Sequence, residues 1–119
     1  MLTLDTHIVV ALLNGELTER ERELVTDDAL GVSDIVLWEL AKLVELGRLE
    51  LDLEDVELRM FLRSVTVLPI TIEIARTSTQ LDFESDPADE IIAATAVVEQ
   101  SRLLTRDRRI LKSKMVPHA

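Results

Sequence analysis

Four acids, Asp5, Glu39, Asp89 and Asp107, are the residues of this chain whose types and settings could do chemistry. Asp5 ends the short apolar run Leu2–Leu4, and Asp107 stands just beyond the run Arg102-Leu103-Leu104-Thr105. Asp89 falls in the first turn of a helix opened by Asp86-Pro87, and Glu39 sits in the middle of the most apolar helical stretch in the chain. Taken singly, Asp5 and Asp107 are good helix caps, and Asp89 suits the positive end of a helix dipole. Glu39 is harder to explain this way, because an acid among apolar neighbours must reach solvent or be held for a reason. Taken together the four suggest more. In an open α/β sheet, chemistry collects beyond the carboxyl ends of the strands. Carboxylates that meet there must protonate, repel one another or bind a cation. Oxygen-only ligands favour Mg²⁺ or Mn²⁺ over zinc, and such an ion suits phosphodiester hydrolysis.

The elements that must position these acids follow from the apolar patterning. Strands are expected at Leu2–Leu4, Ala29–Val32, Val65–Leu68 and Arg102–Thr105, with Met115-Val116 as a further edge strand. Between them lie helical stretches at Ile8–Leu13, Glu16–Thr26, Ile35–Leu46, Val56–Arg63, Thr71–Thr79 and Ala88–Gln100, and a last turn around Ile110–Leu111. Ser33 and Asp34 are suitable caps for the third helix, Asp52 for the fourth and Asp86 for the sixth. Gly47 suits the position just past the third helix, and Pro87 the first helical position. Trp38, lying in the apolar helix, reads as core rather than as a stacking platform. Short strands alternating with helices argue a mostly parallel sheet of about five strands in a three-layer α/β/α sandwich. With 119 residues, no internal repeat and no long linker, 1–119 reads as one domain.

Composition narrows the setting. Hydrophobic residues make up 47 % of the chain, with one Trp, two Phe and no Tyr, so the core must be aliphatic. No apolar run approaches the roughly 20 residues of a membrane span, and Asp5 interrupts what would be the apolar region of a signal peptide. The absence of cysteine excludes disulfides, thiol catalysis and zinc–thiolate sites. A cytoplasmic protein is expected. The net charge of −10 argues against a polyanionic partner, but its uneven distribution weakens that argument. Residues 102–119 hold six of the thirteen Lys and Arg and a single acid, whereas residues 1–101 hold seven bases and twenty-two acids. Arg106, Arg108 and Arg109 are candidates for phosphate contacts, or simply a solvated basic face.

These residues resemble the PIN-domain ribonucleases, in particular the VapC-like toxins of type II toxin–antitoxin pairs. The resemblance runs from Leu2 to about Val116. It is carried by Leu4-Asp5-Thr6-His7, Ser33-Asp34-Ile35-Val36-Leu37-Trp38-Glu39-Leu40, Glu45-Leu46-Gly47-Arg48-Leu49 and Val67-Leu68-Pro69-Ile70-Thr71. Asp86-Pro87-Ala88-Asp89-Glu90-Ile91-Ile92-Ala93-Ala94-Thr95-Ala96 and Leu103-Leu104-Thr105-Arg106-Asp107 complete it. It implies that Asp5, Glu39, Asp89 and Asp107 are catalytic and hold Mg²⁺ or Mn²⁺, with the hydroxyls of Thr6 and Thr105 behind them. Asp86 rivals Asp89 for the third acid. Asp89 is preferred because it lies just before the Ile-Ile-Ala-Ala-Thr-Ala segment, as the acid of the resembled family does, which leaves Asp86 to cap the helix. His7 reads as a polar neighbour of the strand exit rather than a general base.

The resemblance further implies a central first strand, an RNA substrate, a homodimer and a small antitoxin whose tail covers the acidic site. The expected activity is a metal-dependent endoribonuclease, the toxin of such a pair. The alternative is a catalytically silent PIN-like binding or scaffold protein. A phosphoacceptor receiver domain also places Asp at strand exits, but it would want a Lys after a late strand, where this chain has Thr105-Arg106-Asp107. Convergent acids would also strain the metal-free fold, so Asp5→Asn is expected to stabilise it while blunting stabilisation by metal.

Overall fold

The structure is a computed structural model describing residues 1–119. Its sheet is built from β1 (Leu2–Leu4), β2 (Leu30–Ser33), β3 (Thr66–Leu68) and β4 (Arg102–Leu104). They are ordered β3-β2-β1-β4 with every pairing parallel. β1 is therefore an inner strand, as expected. Leu2 pairs with Leu30 on one side and with Arg102 on the other, which sets the exits of β1, β2 and β4 side by side. The fifth strand does not form. Met115-Val116 is not extended onto the sheet, and the C-terminal segment touches β4 only through an isolated parallel bridge between Leu103 and His118. Ser113 explains why: its hydroxyl accepts from the amides of both Met115 and Val116, turning the chain there.

Seven helices flank the strands. They are α1 (Thr6–Leu13), α2 (Glu19–Thr26), α3 (Ile35–Glu45), α4 (Val56–Ser64), α5 (Ile72–Ser78), α6 (Pro87–Glu99) and α7 (Arg108–Leu111). The arrangement is consistent with a three-layer α/β/α fold. α6 owes its close fit on β2 and β4 to small residues: Ala93, Ala94 and Ala96 are fully buried. The core cluster joins β1 (Leu2, Leu4), α1 (Ile8, Val9), α3 (Val36, Leu40), α6 (Ile92) and β4 (Leu103, Leu104), and its driving force is aliphatic burial at roughly 25 cal/mol per Å². No helix is long and apolar enough to cross a membrane.

Candidate acids stand at or near the starts of three helices. α1 begins at Thr6, two residues earlier than the apolar run suggests, because Asp5 accepts from the Thr6 amide at 2.8 Å. α4 is capped by Asp55 rather than Asp52. Asp86 occupies the N-cap position of α6, but its side chain makes no capping hydrogen bond. Asp34 likewise precedes α3 without capping it. α3 is also less enclosed than its sequence suggests. Val36 and Leu40 are buried, whereas Trp38 is 54 % exposed and Leu37 and Leu46 face outward, so Trp38 is not a core residue.

Candidate active site

The strand exits bring together residues about a hundred positions apart. The Asp5 carboxylate, 2 % exposed, accepts from the Thr105 hydroxyl at 2.6 Å through Oδ2 and from the Thr6 amide through Oδ1. The Thr6 hydroxyl donates to Glu39 Oε1 at 2.5 Å, tying α1 to α3. Thr105 also receives the Asp107 amide at 3.0 Å. Asp107 caps α7, its Oδ1 accepting from the amides of Arg109 and Ile110. On α6, Asp89 Oδ2 accepts from the Ser85 hydroxyl at 3.0 Å. The structural and the functional readings of Asp5 and Asp107 are thus compatible, because each caps a helix and stands at the same end of the sheet. Ser85 does not stand out in the sequence. Its signal is slight, a hydroxyl residue in a polar loop four positions before the acid.

The acids lie within electrostatic reach of one another. Burial pushes Glu39 above the usual carboxylate range, and Asp89, Asp5 and Asp86 push it further. Burial likewise raises Asp89, with Asp5, Asp107 and Asp86 adding to the effect. No lysine or arginine pairs with Asp5, Glu39, Asp86, Asp89 or Asp107. Asp86 therefore belongs to the same field, although it is exposed and Asp89 is half-buried.

An uncompensated set of carboxylates is a donor set for a hard divalent cation. Glu39, Asp89 and Asp107 each keep one oxygen outside the hydrogen bonds just described. No three acidic or histidine side chains are drawn close enough to hold an ion as they stand. The hydroxyls of Thr6, Thr105 and Ser85 hold individual carboxylates. The donor chemistry fits the ion, and coordination would require the carboxylates to swing inward.

His7 and Arg106, the imidazole and one of the three arginines near the site, are already engaged. His7 Nε2 accepts from the Arg106 amide at 2.8 Å, and Nδ1 faces Asp5 Oδ2 at 3.6 Å, beyond hydrogen-bond length. Both ring nitrogens thus face protein groups, as expected for a polar neighbour. The Arg106 guanidinium turns away to Glu21 on α2, with Nε on Oε2 at 2.8 Å and Nη2 on Oε1 at 2.7 Å. Arg109 reaches only the Glu84 carbonyl, at 3.5 Å, while Arg108 is exposed. Glu21 is a further residue that the sequence does not mark as functional, although Thr18-Glu19-Arg20-Glu21 has the capping-box pattern. The structure shows that box closed in both directions.

The PIN domain family model matches residues 2–114. The chain belongs to the PIN-domain family. Among curated proteins it is similar to Ribonuclease VapC22 of Mycobacterium tuberculosis (strain ATCC 25618 / H37Rv), 38 % identical over 86 residues. That alignment covers 70 % of this chain and 66 % of the relative, slightly under two thirds of its length. Two solved structures share the fold. One is VapBC2 from Rickettsia felis bound to a DNA fragment from its promoter, with TM-score 0.76 and 18 % identity over 99 % of this chain and 96 % of that one. The other is a toxin–antitoxin complex from Klebsiella pneumoniae, with TM-score 0.72 and 20 % identity over 94 % of this chain and 91 % of that one.

Proposed function

We propose that this chain is a metal-dependent endoribonuclease, a VapC-like toxin of a toxin–antitoxin pair, formed as one PIN unit over residues 1–119 and acting in the cytoplasm. The observation that carries the proposal is the pair of hydroxyl bonds, Thr105 to Asp5 and Thr6 to Glu39, which tie the two acids and the β4–α7 loop together at one end of the sheet. Family membership and the VapC22 likeness supply the class of reaction.

In this reading Asp5, Glu39, Asp89 and Asp107 hold Mg²⁺ or Mn²⁺. Such an ion, when bound, supplies an activated water and neutralises charge building up on the phosphate. The chain's own part is to orient and to charge the site. Thr105 and the Thr6 amide hold Asp5 in one orientation, and the Thr6 hydroxyl does the same for Glu39. Glu39 and Asp89, both half-buried and unpaired, supply the unbalanced negative charge that recruits a cation. Arg108 on exposed α7 is the arginine left available to approach an RNA phosphate, with Arg109 nearly so.

Apolar side chains stand exposed on several elements. Leu37 and Trp38 on α3, and Ile70 and Ile72 by β3 and α5, are exposed, as are Val56 and Met60 on α4. Isolated exposed apolar residues are ordinary, but this many on so small a chain suits a protein partner. A homodimer and a small antitoxin are the partners proposed, the latter by analogy with the toxin–antitoxin complexes that share the fold.

The test is cleavage of a mixed RNA pool by purified, antitoxin-free protein with Mg²⁺ or Mn²⁺, beside EDTA and Asp5→Asn controls. Metal-dependent cutting lost in both controls is the expected result. A folded protein that binds metal and RNA but never cuts would instead be a silent PIN-like binding module. Cutting that survives Asp5→Asn would remove the site as drawn.

A further inference from the structure

The loop between β4 and α7 is three residues long, Thr105-Arg106-Asp107, and each residue is tied to a different neighbour. Thr105 holds Asp5 with its hydroxyl, Asp107 caps α7, and the Arg106 amide donates to His7 on α1. The Arg106 side chain then leaves the site and forms a two-point fork on Glu21 of α2, with a third contact to the Glu16 carbonyl at 3.3 Å. Glu21 is only 6 % exposed although it lies on an otherwise charged surface helix. The pair is reciprocal in its electrostatics: the Arg106 guanidinium holds Glu21 down to about 2, and Glu21 raises Arg106. A planar guanidinium meeting a carboxylate at two points fixes direction as well as distance.

We propose that Glu21 and Arg106 are positioning residues, a clamp from α2 that sets where the Asp107 carboxylate stands relative to Asp5. The proposal rests on the nuclease reading above. It moves Arg106 out of the set of substrate-contacting residues and brings α2, which carries none of the four acids, into the construction of the site. The geometry favours this over a phosphate contact because both oxygens of a buried carboxylate already occupy the guanidinium. Breaking the fork would leave that carboxylate buried without its cation.

The two roles make opposite forecasts for Glu21. If Arg106 served the substrate, Glu21→Ala would free it and lower KM, while Arg106→Ala would raise KM and reduce the salt dependence of RNA binding by about one counterion. If the pair is a clamp, both variants lose the same thing. Glu21→Ala and Arg106→Ala are each expected to weaken Mn²⁺ binding, measured calorimetrically, and to lower kcat by about ten- to a hundredfold with KM unchanged. The double variant should be no worse than either single one. Amide hydrogen exchange at Arg106 and Asp107 should accelerate in both.

Thr18→Ala serves as the control, since it opens the capping box that Glu21 shares but leaves the fork in place. It should lower the melting temperature and leave kcat, Mn²⁺ affinity and loop exchange unchanged. The clamp is overturned by opposite KM effects in the two variants, by wild-type exchange and Mn²⁺ affinity in both, or by Thr18→Ala reproducing their losses. Should the wild-type protein itself neither bind Mn²⁺ nor cut RNA, the nuclease reading fails and the clamp's role in it goes too. Wild-type activity with unaffected variants sinks the clamp alone.

Discussion

The two halves of the candidate site are built on different principles. At the strand exits, Asp5 and Asp107 are held by main-chain amides, and the Thr105 hydroxyl bridges between them. These contacts also start α1 and α7, so each acid is part of the folding apparatus. On the helices, Glu39 and Asp89 receive one hydroxyl apiece and otherwise face burial and their own kind, which raises both. The fold therefore orients one pair firmly and leaves the other pair as unbalanced charge. An acid that is satisfied supplies position. In the proposed reading, an acid that is not supplies the attraction for a cation.

The largest effect should follow from breaking the satisfied half. Asp5→Asn keeps the size of the side chain but turns one oxygen into a donor, opposite either the Thr6 amide or the Thr105 hydroxyl. Cleavage should fall by more than about a hundredfold, beyond what loss of a residue behind the ligands typically costs. The metal-free protein should be destabilised, which reverses the expectation drawn from charge alone. The sequence shows an acid among acids and suggests relief on neutralisation, whereas the structure shows two donors aimed at Asp5. Thermal melts with and without Mn²⁺, beside cleavage rates, check both statements.

Thr105→Val sharpens the same half by removing only the bridge. It leaves a buried Asp5 oxygen without its hydroxyl and the Asp107 amide without its acceptor. Stability should drop by about 1–3 kcal/mol and activity by roughly ten- to a hundredfold, read by denaturant titration and by kcat. Thr105→Ser should recover most of both.

The unsatisfied half should respond with the opposite sign. Glu39→Gln and Asp89→Asn remove charges that the fold disfavours, so each metal-free variant should melt higher than wild type. Each should also lose most of the melting shift produced by Mg²⁺ or Mn²⁺, since that shift is the linkage of binding to folding. Variants that melt lower without metal, yet keep a full metal shift, would mean the two acids are ordinary surface carboxylates.

How far this contrast is legible in the sequence follows from what kind of information each part needs. The strands and helices are readable because apolar periodicity is local, and the four acids stand out by position at element ends or among apolar neighbours. Met115-Val116 misleads because an apolar pair reads as strand regardless of Ser113, whose hydroxyl takes the two amides. Trp38 misleads because periodicity marks a helix as apolar without saying which face the sheet will cover. Asp86 and Asp89 separate fully only by geometry, since both precede the same apolar run and differ in burial and in the Ser85 contact. The Glu21–Arg106 fork joins positions 85 apart and has no local signature beyond the capping box. Its long range is why Arg106 looks free in the sequence.

The smallest expected effect is a pH dependence in which the two kinds of acid pull apart. Glu39 and Asp89 take up protons in the folded state at higher pH than in the unfolded chain, so they cost stability at neutral pH. That cost recedes as pH falls through their raised values. Glu21 behaves in the opposite way. Its folded value is lowered from 4.5 to about 2, so its contribution is fully present above 4.5 and is lost as pH falls toward about 2. The full shift at 1.36 kcal/mol per unit would be about 3 kcal/mol, and the half-exposed Arg106 partner reduces this to about 1–2 kcal/mol. Metal-free protein should therefore hold or gain stability on mild acidification and lose it below 4.5. Denaturant titrations at closely spaced pH would show the two limbs. Glu21→Gln should flatten only the acid limb, and Glu39→Gln with Asp89→Asn only the upper one. If one substitution flattened both, the satisfied and unsatisfied acids would be a single coupled network rather than two parts with separate tasks.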